Sequence, residues 1–197
     1  MAERHPYKKP DHFTREAKAA GFAARSVFKL EEIHSRYRLL RPGQRVLDLG
    51  CSPGSWAQFA LTVLGPSGRV VGVDIVQPSA SGFHFVEESV LTVTEDVLRA
   101  ALGGPADVVL SDMAPLTSGV RDADHWSQIE LATRALDIAK SIGRPGSCFV
   151  CKVFDGGDAP AFFQAVRGCF ADVKRVRPDA VRSVSREFFV VATGLRG

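Results

Sequence analysis

The sequence predicts an α/β fold: a doubly wound, mostly parallel sheet with helices on both faces and one antiparallel strand near its edge. Three observations carry this. From residue 45 onward, short apolar runs of strand type alternate with segments of helical periodicity, the pattern of a parallel sheet covered on both sides. The last two strand-like runs, "DVKRVRP" and "REFFVVATG", are joined by a short link. Parallel strands need a dozen or more connecting residues, so this pair is antiparallel. Finally, "VLDLGCSPGSW" (46–56) reads as a buried strand running into a glycine turn and then a helix.

The elements follow in order. Residues 1 to about 20 are polar and read as loose chain. A helix starts at Ser26, a good N-cap residue, in "SVFKLEEIHSRYRLL", where Val27, Leu30, Ile33 and Tyr37 form one apolar stripe. "RPGQ" breaks the chain. "RVLDLG" (45–50) is a strand, "SWAQFALTVLG" (55–65) a helix, and "RVVGVD" (69–74) a strand. "FHFVEE" (83–88) is a weaker strand, followed by a helix near 95–102 and the strand "ADVVLSD" (106–112). A long helix spans 123–142, with Ile129, Ala132, Leu136 and Ala139 on one face. "SCFVCKVF" (147–154) is a strand, "APAFFQAVRGCF" (159–170) a helix, and the antiparallel pair closes the chain.

Composition narrows the function classes. The 197 residues suit one domain with a short extension, and 45% hydrophobic residues supply a core. No run approaches the 18 or so apolar residues of a membrane span. The first residues lack the apolar centre of a secretory signal, so a cytoplasmic protein is expected. Cys148 and Cys151 form a C-x-x-C on a strand, where residues three apart face opposite ways, so the thiols do not share an ion. The five histidines show no metal-ligand spacing, and no metal is expected. Charge is uneven. Residues 1–45 hold eleven Lys or Arg against five Asp or Glu, a balance of +6, which leaves −3 on the remainder of a chain whose total is +3. A basic arm on a mildly acidic body points to a polyanion, nucleic acid first, or else to a solvated tail.

The glycine turn sets the ligand class. In doubly wound sheets ligands bind at the carboxyl ends of the strands. Asp48, Asp74 and Asp112 lie at or near three such ends. Asp74 follows Gly50 by 24 residues, close to the spacing of about 20 for an acid that bonds ribose hydroxyls. The turn G-C-S-P-G-S-W lacks the G-x-G-x-x-G of a dinucleotide site, Pro53 removes a backbone donor, and no G-K-[ST] follows. A nucleoside acid beside a turn with no phosphate features suits S-adenosylmethionine, which joins a nucleoside to a charged amino acid. Asp48 is read as orienting the turn through backbone bonds.

Four blocks in order, "VLDLGCSPGSWAQF", "SDMAPLTSG", "VCKVFDG" and "SVSREFFVVATG", with "RSVFKLEEI" upstream, resemble the RrmJ/FtsJ family of ribosomal RNA uridine 2′-O-methyltransferases over about residues 22–195. The resemblance implies a Rossmann-like S-adenosylmethionine-dependent methyltransferase fold with a seven-stranded sheet in residues 22–197, preceded by a basic arm (1–21). It implies a monomer acting on 23S rRNA, within the large ribosomal subunit. The family's Lys-Asp-Lys-Glu tetrad falls on Lys29, Asp112, Lys152 and Glu187. Its cofactor contacts fall on Gly54, Trp56, Asp74 and Asp112. Where the family carries an Asp against adenine, this chain reads "FVEESVL" and places Ser89. A hydroxyl accepts from the adenine amino group but lacks the charge that strengthens the bond, and Glu88 stands beside it.

Within that tetrad Lys152 is the candidate base. A lysine must shed its proton to act so, which burial and a second ammonium such as Lys29 favour and Glu187 opposes. Glu187 is therefore assigned to positioning, Asp112 to holding cofactor and lysines in register, and Lys29 to fixing the incoming ribose or its phosphate. RNA contact is expected from the arm, Lys29 and a second basic cluster (Lys174, Arg175, Arg177, Arg182, Arg186). Two other classes share parts of this pattern. A small-molecule or protein methyltransferase shares the turn and Asp74 but needs neither the tetrad nor the arm. A non-catalytic ribosome-assembly protein would not need Lys152.

Overall fold

The computed structural model describes residues 12–115 and 121–197, with the backbone alone over 121–124. The elements are α1 (His12–Ala19), α2 (Val27–Tyr37), β1 (Arg45–Leu49), α3 (Ser55–Leu64), β2 (Arg69–Asp74), β3 (His84–Glu87), α4 (Glu95–Leu102), β4 (Ala106–Ser111), α5 (Arg121–Ile142), β5 (Gly143–Phe154), α6 (Ala159–Cys169), β6 (Phe170–Val176) and β7 (Glu187–Leu195). The seven strands form one sheet in the order β3-β2-β1-β4-β5-β7-β6. Pairing is parallel from β3 to β5, and β7 runs antiparallel to both β5 and β6. The expected reversed strand is thus β7, inserted one place in from the edge.

Strand alternation divides the core in two. Val46 of β1 packs on the side of α2 and α3, with Leu30, Ile33, Trp56 and Ala60. Leu47 and Leu49 pack on the other, with Leu98, Ala135 and Ile138 of α4 and α5. Cys148 and Cys151 are free thiols on opposite sides of the sheet, as their spacing requires. No helix among the described residues is long and apolar enough to cross a membrane.

Two sequence readings change. Residues 12–19, read as loose chain, form α1. A helix of eight residues is marginal alone. This one is held by tertiary contact: Ala17 is buried, Phe13 lies 5.7 Å from Phe28, and the Arg25 guanidinium sits over the Phe13 ring. Ser26 occupies the N-cap position of α2, but its side chain makes no capping bond. Its hydroxyl instead meets the Ser55 hydroxyl at 2.8 Å, tying α2 to α3.

Candidate active site

The crossover order brings the carboxyl ends of β1, β2, β4 and β5 to one edge of the sheet, beside the start of the reversed β7. Two turns of backbone shape the β1 end. Gly50 has φ +71°, and a Cβ there would lie 2.3 Å from Met113 Cγ, so only glycine lets the turn pass under the chain leaving β4. Gly54 has φ +109° and stands at the start of α3, where a Cβ would lie 2.5 Å from Ala80 Cβ.

Asp74, ending β2, accepts from the backbone N–H of Ser52 and of Val76, each at 2.9 Å. It therefore fixes the turn while keeping lone pairs for a ligand. Asp48, near the end of β1, is 1% exposed, and its Oδ2 has no hydrogen-bond partner among the described residues. Burial first, and then the charge of Asp112, push its pKa up to about 8, against a backbone bond from Ala57 in α3 that lowers it. That bond ties Asp48 to the first turn of α3 rather than to the glycine turn itself. The unpartnered oxygen borders a small cavity of ≈ 30 Å³ lined by Ser26, Asp48, Ser55, Trp56 and Asp112 with the turn. Trp56 is core as well as lining: it is buried, donates from Nε1 to the Ser26 carbonyl at 2.8 Å, and lies 5.7 Å from Phe189.

The four tetrad residues meet at this edge from four different elements. Lys152 on β5 is 6% exposed; its Nζ donates to the Asp112 backbone carbonyl at 2.7 Å and stands 3.2 Å from Asp112 Oδ1. Lys29 on α2 stands 3.5 Å from the same Oδ1 and 2.6 Å from Glu187 Oε1, with its ammonium 5.5 Å from the centre of the Phe189 ring. Burial lowers the Lys29 pKa, but Asp112 and then Glu187 more than offset it, so it stands above the ordinary lysine value. The arrangement is one row, Lys152–Asp112–Lys29–Glu187. Glu187 thus contacts Lys29 and leaves Lys152 to Asp112 alone, which fits a positioning role.

Ser89 follows β3, on the outer side of Asp74. Its Oγ accepts from the Leu91 N–H at 3.3 Å, and its neighbour Glu88 donates from the backbone to the Asp74 carbonyl at 3.1 Å. The hydroxyl is a turn former that retains a donor and a lone pair.

The second basic cluster is more engaged than its sequence suggests. Lys174 pairs with Asp172 at 2.9 Å. Arg175 pairs with Asp155 and covers Phe188. Arg177 donates to the carbonyls of Glu187, Arg182 and Ser185, and Arg186 to that of Asp155. Arg177 thereby ties the β6–β7 connection to the start of β7, and Arg186 ties it to the end of β5. Of the arm, Arg15 and Lys18 lie exposed on α1, whereas Lys8 and Lys9 fall outside the described residues, as do Leu116–Gly119 of the "SDMAPLTSG" block. Sequence reading does not single out Gln128, which is buried on the inner face of α5. The available signal was a polar residue four before Ala132 on the apolar stripe.

Comparison with known proteins places the chain in a family. A family model described as FtsJ-like methyltransferase matches residues 22–195. A protein of Desulfatibacillum aliphaticivorans is 44% identical over 95% of this chain and 91% of its own length. One of Syntrophobacter fumaroxidans is 46% identical over 96% and 98%. Both bear the name ribosomal RNA large subunit methyltransferase E. Among solved structures, a candidate ribosomal RNA methyltransferase of Plasmodium falciparum superposes with a TM-score of 0.79 at 22% identity, covering 89% of this chain and all of that one. Fibrillarin of Aeropyrum pernix, solved with natively bound S-adenosylmethionine, gives 0.56 at 15% identity over 78% of this chain and 68% of its own. At these identities the two structures speak for the fold.

Proposed function

This chain belongs to the FtsJ-like methyltransferase family, and from that premise we propose that it transfers the methyl group of S-adenosylmethionine to a ribose 2′-hydroxyl of large-subunit ribosomal RNA, a uridine of 23S rRNA. The observation that supports this most is the row Lys152–Asp112–Lys29–Glu187, four charged side chains from separate elements in contact at the carboxyl edge of the sheet.

The residues present fit the cofactor. The unpartnered Asp48 oxygen and Asp112 face a cavity of ≈ 30 Å³, room for about one water-sized group, which suits an ammonium head. In this reading Asp74 meets the ribose hydroxyls, Gly54 of the turn and Trp56 of the first turn of α3 lie beneath the cofactor, and Ser89 serves the adenine side. S-adenosylmethionine supplies a methyl already activated by a sulfonium charge, which leaves orientation and proton removal to the protein.

Lys152 is the base. A neutral amine has two hydrogens and one lone pair. The Asp112 carbonyl and Oδ1 take both hydrogens, which aims the lone pair in the one remaining direction, towards an incoming 2′-hydroxyl. Lys29, held charged by Asp112 and Glu187, fixes the ribose or its phosphate. The methyltransferase domain is residues 22–197, and the arm (1–21) adds phosphate contacts. Reversing Arg15 and Lys18 together with Lys8 and Lys9 should weaken RNA binding and flatten its fall with salt, with cofactor affinity unchanged; wild-type binding and slope in that variant would make the arm a bystander.

The reading is tested by incubating the protein with methyl-labelled S-adenosylmethionine and large ribosomal subunits, then mapping the label. Label on one uridine 2′-oxygen is expected. Label on a base, on protein, or on neither would refute it.

A further inference from the structure

β4 and β5 pair in parallel as far as Ser111 and Cys151. There β4 leaves the sheet: the carbonyl of Asp112 turns to the Lys152 ammonium instead of continuing the ladder. β5 does not stop. On its other edge it stays paired with β7 through Phe154 and Glu187. The edge facing the vacated lane therefore presents one carbonyl, that of Lys152, and one N–H, that of Phe154, inside the protein. In a parallel ladder a single residue of the neighbouring strand would meet both groups.

Gln128 meets them instead. Its Nε2 donates to the Lys152 carbonyl at 2.6 Å, and its Oε1 accepts from the Phe154 N–H at 3.1 Å. The side chain is 1% exposed and comes from the first half of α5. A carboxamide has the same donor and acceptor as a peptide unit. Without this amide the Phe154 N–H would lose its acceptor and the Lys152 carbonyl would keep only the weak donor of the Cys151 thiol at 3.3 Å; buried backbone groups left so are costly, and the end of β5 would have to twist towards other partners. Lys152 rides on that end, and its nitrogen is held by two contacts to Asp112 of 2.7 and 3.2 Å.

We infer that Gln128 is a positioning residue for methyl transfer: its amide stands in for the missing β4 peptide, so that β4 can turn away to carry Asp112 while β5 still holds Lys152 in place. This rests on the reading of Lys152 as the base. The device separates two requirements that one ladder cannot meet, since Asp112 must leave the sheet to reach the lysine and the lysine's own strand must remain ordered.

Three variants test it: Gln128→Leu, Gln128→Glu and Lys152→Ala. Leucine keeps bulk and loses both bonds. Glutamate keeps the acceptor for Phe154 and sets an oxygen against the Lys152 carbonyl. Each Gln128 variant should lower kcat about 10- to 100-fold, the scale expected when a reacting group is displaced by about 1 Å. KM for the subunit and Kd for S-adenosylmethionine should stay within about twofold, and the pH–rate profile should be displaced. Should Gln128→Leu fold poorly, Gln128→Ala, which also lacks the acceptor for the Phe154 N–H, takes its place: faster amide exchange at Phe154 than in wild type is expected without any activity assay, and unchanged exchange would overturn the clamp. Folded Gln128 variants with wild-type kcat and profile, beside an inactive Lys152→Ala, would overturn the positioning role and leave the base intact. Turnover surviving in Lys152→Ala would overturn both.

Discussion

Asp48 on β1 and Asp112 beyond β4 stand on neighbouring strands at the same edge of the sheet, and their surroundings differ. Asp112 is met by two ammonium groups. Asp48 has an oxygen with no partner among the described residues. The half built on β4, β5 and β7, with Lys29 of α2, is partnered from within, two lysines meeting two carboxylates. The half built on β1 and β2 is acidic: Asp74 is satisfied by backbone donors and Asp48 by one backbone bond. The lysine-bearing half finds its partners within the protein, whereas the other half leaves a buried carboxylate oxygen without one among the described residues.

That contrast sets the order of expected effects. Removing the base should matter most. Lys152→Ala is expected to lower kcat by about 10³-fold or more, within the range of general-base catalysis, with cofactor affinity kept. Lys152→Arg should be equally inactive, because a guanidinium keeps its proton. Single-turnover assays together with calorimetry check both; an active arginine variant would mean that only charge is needed there.

Next come the neutralising partners. Lys29→Ala or Glu187→Ala should cost about 10- to 100-fold in kcat/KM for RNA while the base remains. If either equalled Lys152→Ala, the division into base and positioning groups would fail.

The acidic half responds to pH. Burial pushes the Asp48 pKa up to about 8 in the folded protein, against 3.8 for an exposed aspartate. Folded protein therefore holds a proton that unfolded chain has shed between these values, and this group's contribution to stability falls as pH rises through that window. Asp48→Asn should remove the loss. Its Tm advantage over wild type should widen from pH 5 to pH 7, equivalent to on the order of 2 kcal/mol, while S-adenosylmethionine affinity drops about tenfold. A constant Tm difference across that range would place the raised titration elsewhere.

The smallest effect belongs to the rim. Ser89→Asp restores a charge-assisted acceptor and should tighten cofactor binding about fivefold, roughly 1 kcal/mol. Unchanged affinity in calorimetry would mean that position 89 serves only its turn.

Much of this was fixed by sequence alone. Periodicity and connection length determine the strands, the helices and the reversed β7, because those depend on local patterns and on how far a chain can reach. The types and order of Lys29, Asp112, Lys152 and Glu187 were likewise visible as motif residues. Tertiary structure decided the rest. Helix α1 exists because Ala17 is buried and Phe13 meets Phe28 on α2, not because an isolated eight-residue segment favours a helix. Ser26 looked like a cap and became a tie to Ser55. Whether Glu187 would touch Lys152 or Lys29 depended on β7 entering antiparallel beside β5, which places it opposite Phe154, two residues beyond Lys152. The states of Asp48 and Gln128 were undecidable from residue type. An acid is perturbed only when three-dimensional packing withholds water and partners, and a glutamine becomes a substitute peptide only where a neighbouring strand has left the sheet.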